Sequence, residues 1–178
     1  MKQQILVIYK SVTGFTEQYA RWIAKELDCQ AMDLREVSAK TMAGCQLVIF
    51  GGRIHAGVVD GLKQVKKLFE KSTAGKLVVF ATGATPNTAG EIIEETWKNN
   101  FTPAELEHIP HFYLQSGLRY EKMPLGDKLM IKVFAAMIKR KKEKSEYERA
   151  MQQVLGSSWD HSSREDIQPL VSCVIRGK

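Results

Sequence analysis

Cysteine is scarce, and the three residues present, Cys29, Cys45 and Cys173, lie far apart without paired spacing. That pattern excludes a disulfide framework and a cysteine metal site, and it fits a reducing compartment. No run reaches the roughly 18 apolar residues needed to cross a bilayer. The opening MKQQ and the short apolar stretch after it lack the core and cleavage pattern of a secretory leader. The expected location is the cytoplasm, with peripheral attachment at the inner face of a membrane left open. Two nucleotide signatures are also missing, GxGxxG and GxxxxGK followed by Ser or Thr. Zinc-finger spacing, an RNA-binding aromatic motif and a recognition-helix arrangement are absent too, so no specific nucleic acid is expected as a partner.

What is present is a chain of 178 residues with 44% hydrophobic residues and a formal net charge of +6. This suits one globular domain with a sizeable core, spanning residues 1–178 and carrying a basic helical elaboration around residues 121–160. A basic surface suits an acidic partner protein or an anionic membrane.

Ile5 to Thr16, ILVIYKSVTGFT, passes from an apolar, β-branched run into small hydroxyl residues and a glycine, and then into a helical pattern with Tyr19, Ala20, Ile23, Ala24 and Leu27 on one face. A buried strand, a turn lined with amides and hydroxyls, and a helix N-terminus together make an anion site. Cys29 to Leu34 reads as a weak second strand. Cys45 to Gly52, CQLVIFGG, reads as a buried strand stopped by two glycines, with a loop from Arg53 to Gly57 and a helix from about Asp60 to Lys71. Lys76 to Thr82 gives another strand, the GATPNTAG loop follows, and a helix carries Ile92, Ile93 and Trp97. His111 to Ser116 is the last strand.

From Leu125 to Ile138, Leu129, Met130, Val133, Phe134, Met137 and Ile138 recur at helical spacing before the run KRKKEK. The favoured arrangement docks this apolar face on the sheet and leaves the lysines in water; exposure of the face would instead suit an anionic bilayer. A final helix is expected within Arg164 to Ile175, with Pro169 admissible only in its first turn. Strand, small-residue loop and helix thus repeat as an α/β, doubly wound parallel sheet whose loops gather at the carboxyl edge.

The loop SVTGFT holds no Lys or Arg, so it would bind a phosphate through neutral donors. It resembles the phosphate loop of flavodoxins, which embraces the phosphate of FMN. GGRIHAG at residues 51–57 and GLRYEKM at residues 117–123 are similar, more narrowly, to segments of the bacterial menaquinone-dependent protoporphyrinogen oxidase branch. The resemblance implies a flavodoxin-like five-stranded parallel sheet of order 2-1-3-4-5 and noncovalent FMN. It also implies a site in which Ser11, Val12, Thr13, Gly14, Phe15 and Thr16 surround the phosphate. Gly52, Arg53, Ile54, His55 and Ala56 would lie on one side of the isoalloxazine, and Thr82, Gly83, Ala84 and Thr85 would supply the second ring-contacting loop.

Ala56 stands where that branch often has Tyr, which points to a more open flavin face or a different substrate. Gly117, Arg119 and Tyr120 complete the implied set, Arg119 drawing a substrate carboxylate or an anionic flavin and Tyr120 lying near a planar ring; a salt bridge and an ordinary aromatic contact are equal alternatives. Thr13, Thr16 and Thr85 also suit turns and caps, and His55 suits a backbone hydrogen bond as well as acid–base chemistry. The implied function is that of an FMN-dependent oxidoreductase or electron-transfer protein, serving a redox partner protein or a quinone. The rival is a ligand-binding or interaction protein without redox chemistry.

Overall fold

The computed structural model describes residues 4–177, apart from the side chains of Glu146 and Val154. Its central strand is β1 (Ile5–Lys10), whose alternate residues feed two separate cores. Ile5, Val7 and Tyr9 enter one core, and Leu6 and Ile8 enter the other. The other central strands, β3 (Leu47–His55) and β5 (Lys76–Gly83), divide their residues in the same way. With β2 (Gln30–Asp33) and β6 (His111–Gln115) at the two edges, the parallel order is β2-β1-β3-β5-β6. That is the expected order 2-1-3-4-5, with one short strand added: β4 (Val58–Val59) folds back antiparallel on β3. Continuous apolar runs mark these strands because both faces are covered.

On one face, α1 (Phe15–Glu26) contributes Tyr19, Ala20, Ile23 and Ala24 to the core, and α8 (Gln168–Arg176) contributes Leu170, Val171 and Val174. Pro169 lies in the first turn of α8, where a missing N–H costs no helical bond. The opposite face is covered by α3 (Leu62–Glu70) through Leu62 and Val65, and by α4 (Gly90–Asn100) through Trp97. Two short helices, α2 (Ala39–Met42) and α5 (Pro103–His108), begin with side-chain capping boxes at Ser38 and Thr102.

One expectation needs correction at β3. The pair Gly51 and Gly52 does not stop the strand, which runs on to His55 and turns into β4. A Cβ on Gly51 would stand 2.0 Å from the Phe80 ring, and one on Gly52 would stand 2.4 Å from the Asp60 carbonyl oxygen. The glycines serve close packing, a requirement that looks identical to a strand terminator in a sequence.

The chain separates into two compact units, one made of the residues up to Ser116 with those from Ser162 onward, and one made of Gly117–His161. In the first unit, the Tyr19 hydroxyl meets the Gln115 carbonyl oxygen at 2.5 Å and an Asp166 carboxylate oxygen at 3.0 Å, and accepts the Ser163 amide at 3.1 Å. Tyr19 therefore ties the returning chain to the sheet.

The second unit is closed by β7 (Gly117–Leu118) pairing antiparallel with β8 (Trp159–Asp160). It contains α6 (Leu125–Arg140) and α7 (Glu146–Val154), joined by an ion pair of 2.7 Å between Lys141 and Glu148. Here a second expectation fails: Leu125, Leu129, Met130, Val133, Phe134 and Met137 are all exposed, and Ile138 is the buried member of that helix. Helical spacing records that an apolar face exists and carries no information on what covers it.

Candidate functional site

The carboxyl ends of β1, β3 and β5 bring three loops to one edge of the first unit. In the first, Gly14 takes a left-handed conformation with φ of 94° and starts α1 without a side-chain cap. Only glycine adopts this geometry without strain, and it turns the first amides of α1 toward the loop. The Ser11 hydroxyl accepts the Gly14 amide at 3.2 Å and pre-forms the turn. Ser11 and Thr13 are half-buried, Val12 is exposed, and Phe15 is buried in the core below. Glu17, the acid of the first turn, pairs with the Arg21 guanidinium at 2.7 Å. Burial, and then the Glu17 carboxylate, push the Tyr9 phenol above its usual range, so it stays neutral.

Thr16 joins this loop to the third one. Its hydroxyl lies 2.8 Å from that of Thr82, and both residues are 1% exposed. One hydroxyl hydrogen is spent between them, which leaves the other for a further acceptor. Gly83, Ala84 and Thr85 continue from β5 half-buried. The Tyr113 hydroxyl donates to the Thr85 carbonyl at 2.6 Å, and a Cβ on Gly83 would stand 2.9 Å from that hydroxyl oxygen. Ser116 donates its amide to the Gly83 carbonyl at 2.8 Å.

The middle loop is a hairpin. His55 pairs with Val58, and the two residues between them, Ala56 and Gly57, have φ of 49° and 78°. This is the twisted two-residue turn that suits a hairpin, although alanine is an uncommon choice for a positive φ. The neck is closed by Arg53, whose Nε donates to Asp60 at 2.9 Å, with Lys10 at 3.8 Å from the same carboxylate. Ile54 and His55 are half-buried beside it. Asn100 clamps the hairpin from α4: its Oδ1 accepts the Val59 amide at 2.8 Å, and its Nδ2 donates to the Gly57 carbonyl at 2.8 Å. Asp60, Tyr113 and Asn100 escaped sequence reasoning because nothing in a polar helix end or an edge strand signals a partner across the fold.

Gly117, Arg119 and Tyr120 belong to the second unit. Gly117 packs on Trp159, where a Cβ would stand 2.1 Å from the carbonyl oxygen. Arg119 pairs with Asp160 at 3.4 Å, and the Lys128 ammonium lies 5.3 Å from the centre of the Tyr120 ring. Thus Arg119 and Tyr120 have structural partners within their own unit.

The remaining chemistry is quiet. Burial, and then Asp28, push the Cys29 thiol up to about 11, and burial raises that of Cys45, so neither supplies a thiolate at neutral pH. Among the described residues no group of three or more His, Cys, Asp or Glu side chains is placed to hold a metal ion.

A doubly wound sheet of this order, with a left-handed glycine and a bare helix start after its first strand, defines an α/β protein of flavodoxin-like fold. The profile of the flavodoxin domain matches residues 6–145, and the chain belongs to the flavodoxin domain family. FMN is the cofactor of that family, which makes the protein an FMN-binding flavoprotein of the electron-transfer type. The residues after β1 suit an anionic group, since neutral donors and a helix N-terminus meet there and the nearby Glu17 carboxylate is paired with Arg21.

Among solved structures, the chain is similar to the flavodoxin, WrbA-like protein from Agrobacterium tumefaciens, at 15% identity, 84% coverage of this chain and 97% of that one, with a TM-score of 0.42. It is also similar to oxidised Flavodoxin 1 from Bacillus cereus, at 17% identity, with 62% and 83% of the two chains covered and a TM-score of 0.41. None of the curated proteins compared with the chain matches it in sequence. No helix among the described residues is long and apolar enough to cross a membrane.

Proposed function

We propose that the protein holds FMN noncovalently at the carboxyl edge of its sheet and works as an oxidoreductase or electron carrier that hands electrons to a quinone or a redox protein. The observation that carries this reading is the Thr16–Thr82 hydrogen bond of 2.8 Å, which fixes the start of α1, just after the proposed phosphate loop, against the end of β5. Bound FMN supplies the electron chemistry through its isoalloxazine ring. The chain supplies the rest. Ser11, Thr13 and the amides from Gly14 onward bind the phosphate, while the residues from Gly52 to Ala56 and from Thr82 to Thr85 flank the ring. The Asp60 and Asn100 contacts hold the hairpin in place for it.

The finer reading is a menaquinone-dependent protoporphyrinogen oxidase acting in the cytoplasm at the inner face of a membrane. It draws support from the RIHAG and LRYEKM segments. In this reading residues 1–178 act as one flavodoxin-like domain, with residues 121–160 as its basic elaboration. A second reading, electron exchange with an acidic protein, is favoured by Lys63 and Lys67 on α3 and Lys71 at its C-cap, which follow each other at four-residue spacing and line one recess with Lys10.

Purification without denaturant, followed by absorption spectroscopy and mass identification of the released group, tests the first step. Stoichiometric FMN is expected; protein that neither retains nor rebinds FMN would end both redox readings and leave a ligand-binding or interaction role. Turnover of protoporphyrinogen with menaquinone separates the oxidase from the carrier.

A further inference from the structure

Within Gly117–His161, the helix α6 presents a face that its own packing leaves uncovered. Leu125, Leu129, Val133 and Met137 follow at four-residue spacing and form one ridge, with Met130 and Phe134 beside it; these six are between 40 and 84% exposed. Asp127, Lys128, Ile131 and Ala135 are half-buried, and with the buried Ile138 they mark the inward side. A helix of a globular domain normally turns polar residues outward, so six large apolar side chains there call for an occupant.

The charge around the face indicates what the occupant is. Lys132, Lys139 and Arg140 are exposed on α6, and Lys141, Lys142 and Lys144 follow it. Asp127, the acid of α6, lies on the inward side. Residues 125–144 hold seven cations and two acids, which accounts for five of the chain's six net positive charges. A second copy fits poorly, because a twofold contact between two such faces would bring their cations together. An anionic lipid surface satisfies both halves of the face, taking apolar side chains below the headgroups and cations among the phosphates. At about 1.5 Å per residue the helix is too short to span a hydrocarbon core of about 30 Å.

We propose that α6 lies flat on an anionic bilayer, with Leu125, Leu129, Met130, Val133, Phe134 and Met137 in the boundary between headgroups and acyl chains, and with Lys132, Lys139, Arg140 and the lysines after them on the headgroup phosphates. This deepens the membrane-surface reading above and does not depend on the redox chemistry, because lipid and FMN binding are measured separately.

The test is sedimentation of the full chain with vesicles of phosphatidylcholine alone, or with roughly a third phosphatidylglycerol. Binding is expected to the anionic vesicles only and to weaken with salt. K132E/K139E/R140E is expected to lose about a hundredfold in affinity or more. V133D/M137D, which alters exposed positions only, is expected to lose about tenfold or more while keeping its circular dichroism and FMN absorbance. The proposal is overturned if the wild-type chain ignores anionic vesicles at low salt, or if V133D/M137D binds them equally well. It is also overturned if the wild-type chain is a dimer that V133D/M137D converts to monomer, since the face then mates with a second copy. Vesicle binding by a chain that takes up no FMN sinks the redox reading alone.

Discussion

Thr16 and Thr82 lie at the ends of different elements, one in the first turn of α1 and one near the end of β5, yet their hydroxyls meet at 2.8 Å with both residues buried. Replacing one of them strands the other hydroxyl in the core, at a cost of about 1–3 kcal/mol, whereas replacing both by an apolar group of the same shape is close to neutral. Thr16→Val and Thr82→Val are each expected to lower the urea midpoint and to weaken FMN severalfold. The double variant should recover most of the stability. A double-mutant cycle in which the two losses simply add refutes the contact.

Gly51 lies against the Phe80 ring, with no room for a Cβ at 2.0 Å. Gly51→Ala forces the ring or the strand to move in the middle of a packed core, and about 3 kcal/mol of stability should be lost. Thermal unfolding reads this directly. Gly51→Ala combined with Phe80→Leu tests the cause, because relief of the clash should return part of the loss, whereas a second independent loss would assign it elsewhere.

Ala56 holds a φ of 49° at the hairpin turn, next to Gly57. Asparagine tolerates this region better than alanine and is favoured before glycine in such turns. Ala56→Asn is therefore expected to stabilise the fold by about 0.5–1 kcal/mol. A lower melting temperature would show that the side chain meets a constraint other than the backbone.

Asn100 spends its carboxamide on the Val59 amide and the Gly57 carbonyl, both at 2.8 Å, and on the Thr96 carbonyl. Asn100→Ala should cost about 1–3 kcal/mol and free the hairpin proposed above to flank the flavin. Hydrogen exchange at the Val59 amide should accelerate well beyond that of the β1 amides, and FMN affinity should fall. Unchanged exchange at Val59 would show that the clamp has no hold on the hairpin.

Lys66 and Glu105 form an ion pair of 2.8 Å, with side chains 19% and 27% exposed. Burial pushes the Glu105 carboxyl up, but the bonds from the Lys66 ammonium and the Thr102 amide outweigh it and hold the group below its ordinary 4.5. The folded value is thus lower than the unfolded one, so the stabilisation is present above the unfolded value and is lost as pH falls through the folded value. Glu105→Gln should be less stable than the parent at neutral pH, and its stability should change less on acidification below about 4.5. Parallel pH profiles for the two proteins would count against the pair.

The strands were legible because burial on both faces demands continuous apolar runs such as LVIFGG and KLVVFAT, and local composition records that demand. The turn after β1 was legible for a similar reason, since a glycine among hydroxyl residues after an apolar run is a signal confined to a few successive residues. The hairpin was misread because close packing and strand termination both select glycine. The clamp by Asn100, the Tyr113 bond to Thr85 and the Thr16–Thr82 contact join residues distant in the chain, and no local pattern marks them.

By itself, the sequence determined the alternation of strands and helices, the strand order through its family likeness, the absence of Lys and Arg from the SVTGFT loop and the concentration of charge in residues 125–144. Only the tertiary structure decided which side of α6 meets water and which contacts hold the three loops. The physical reason is that periodicity specifies a face within one element, while exposure and hydrogen bonding depend on what the rest of the chain brings to that face.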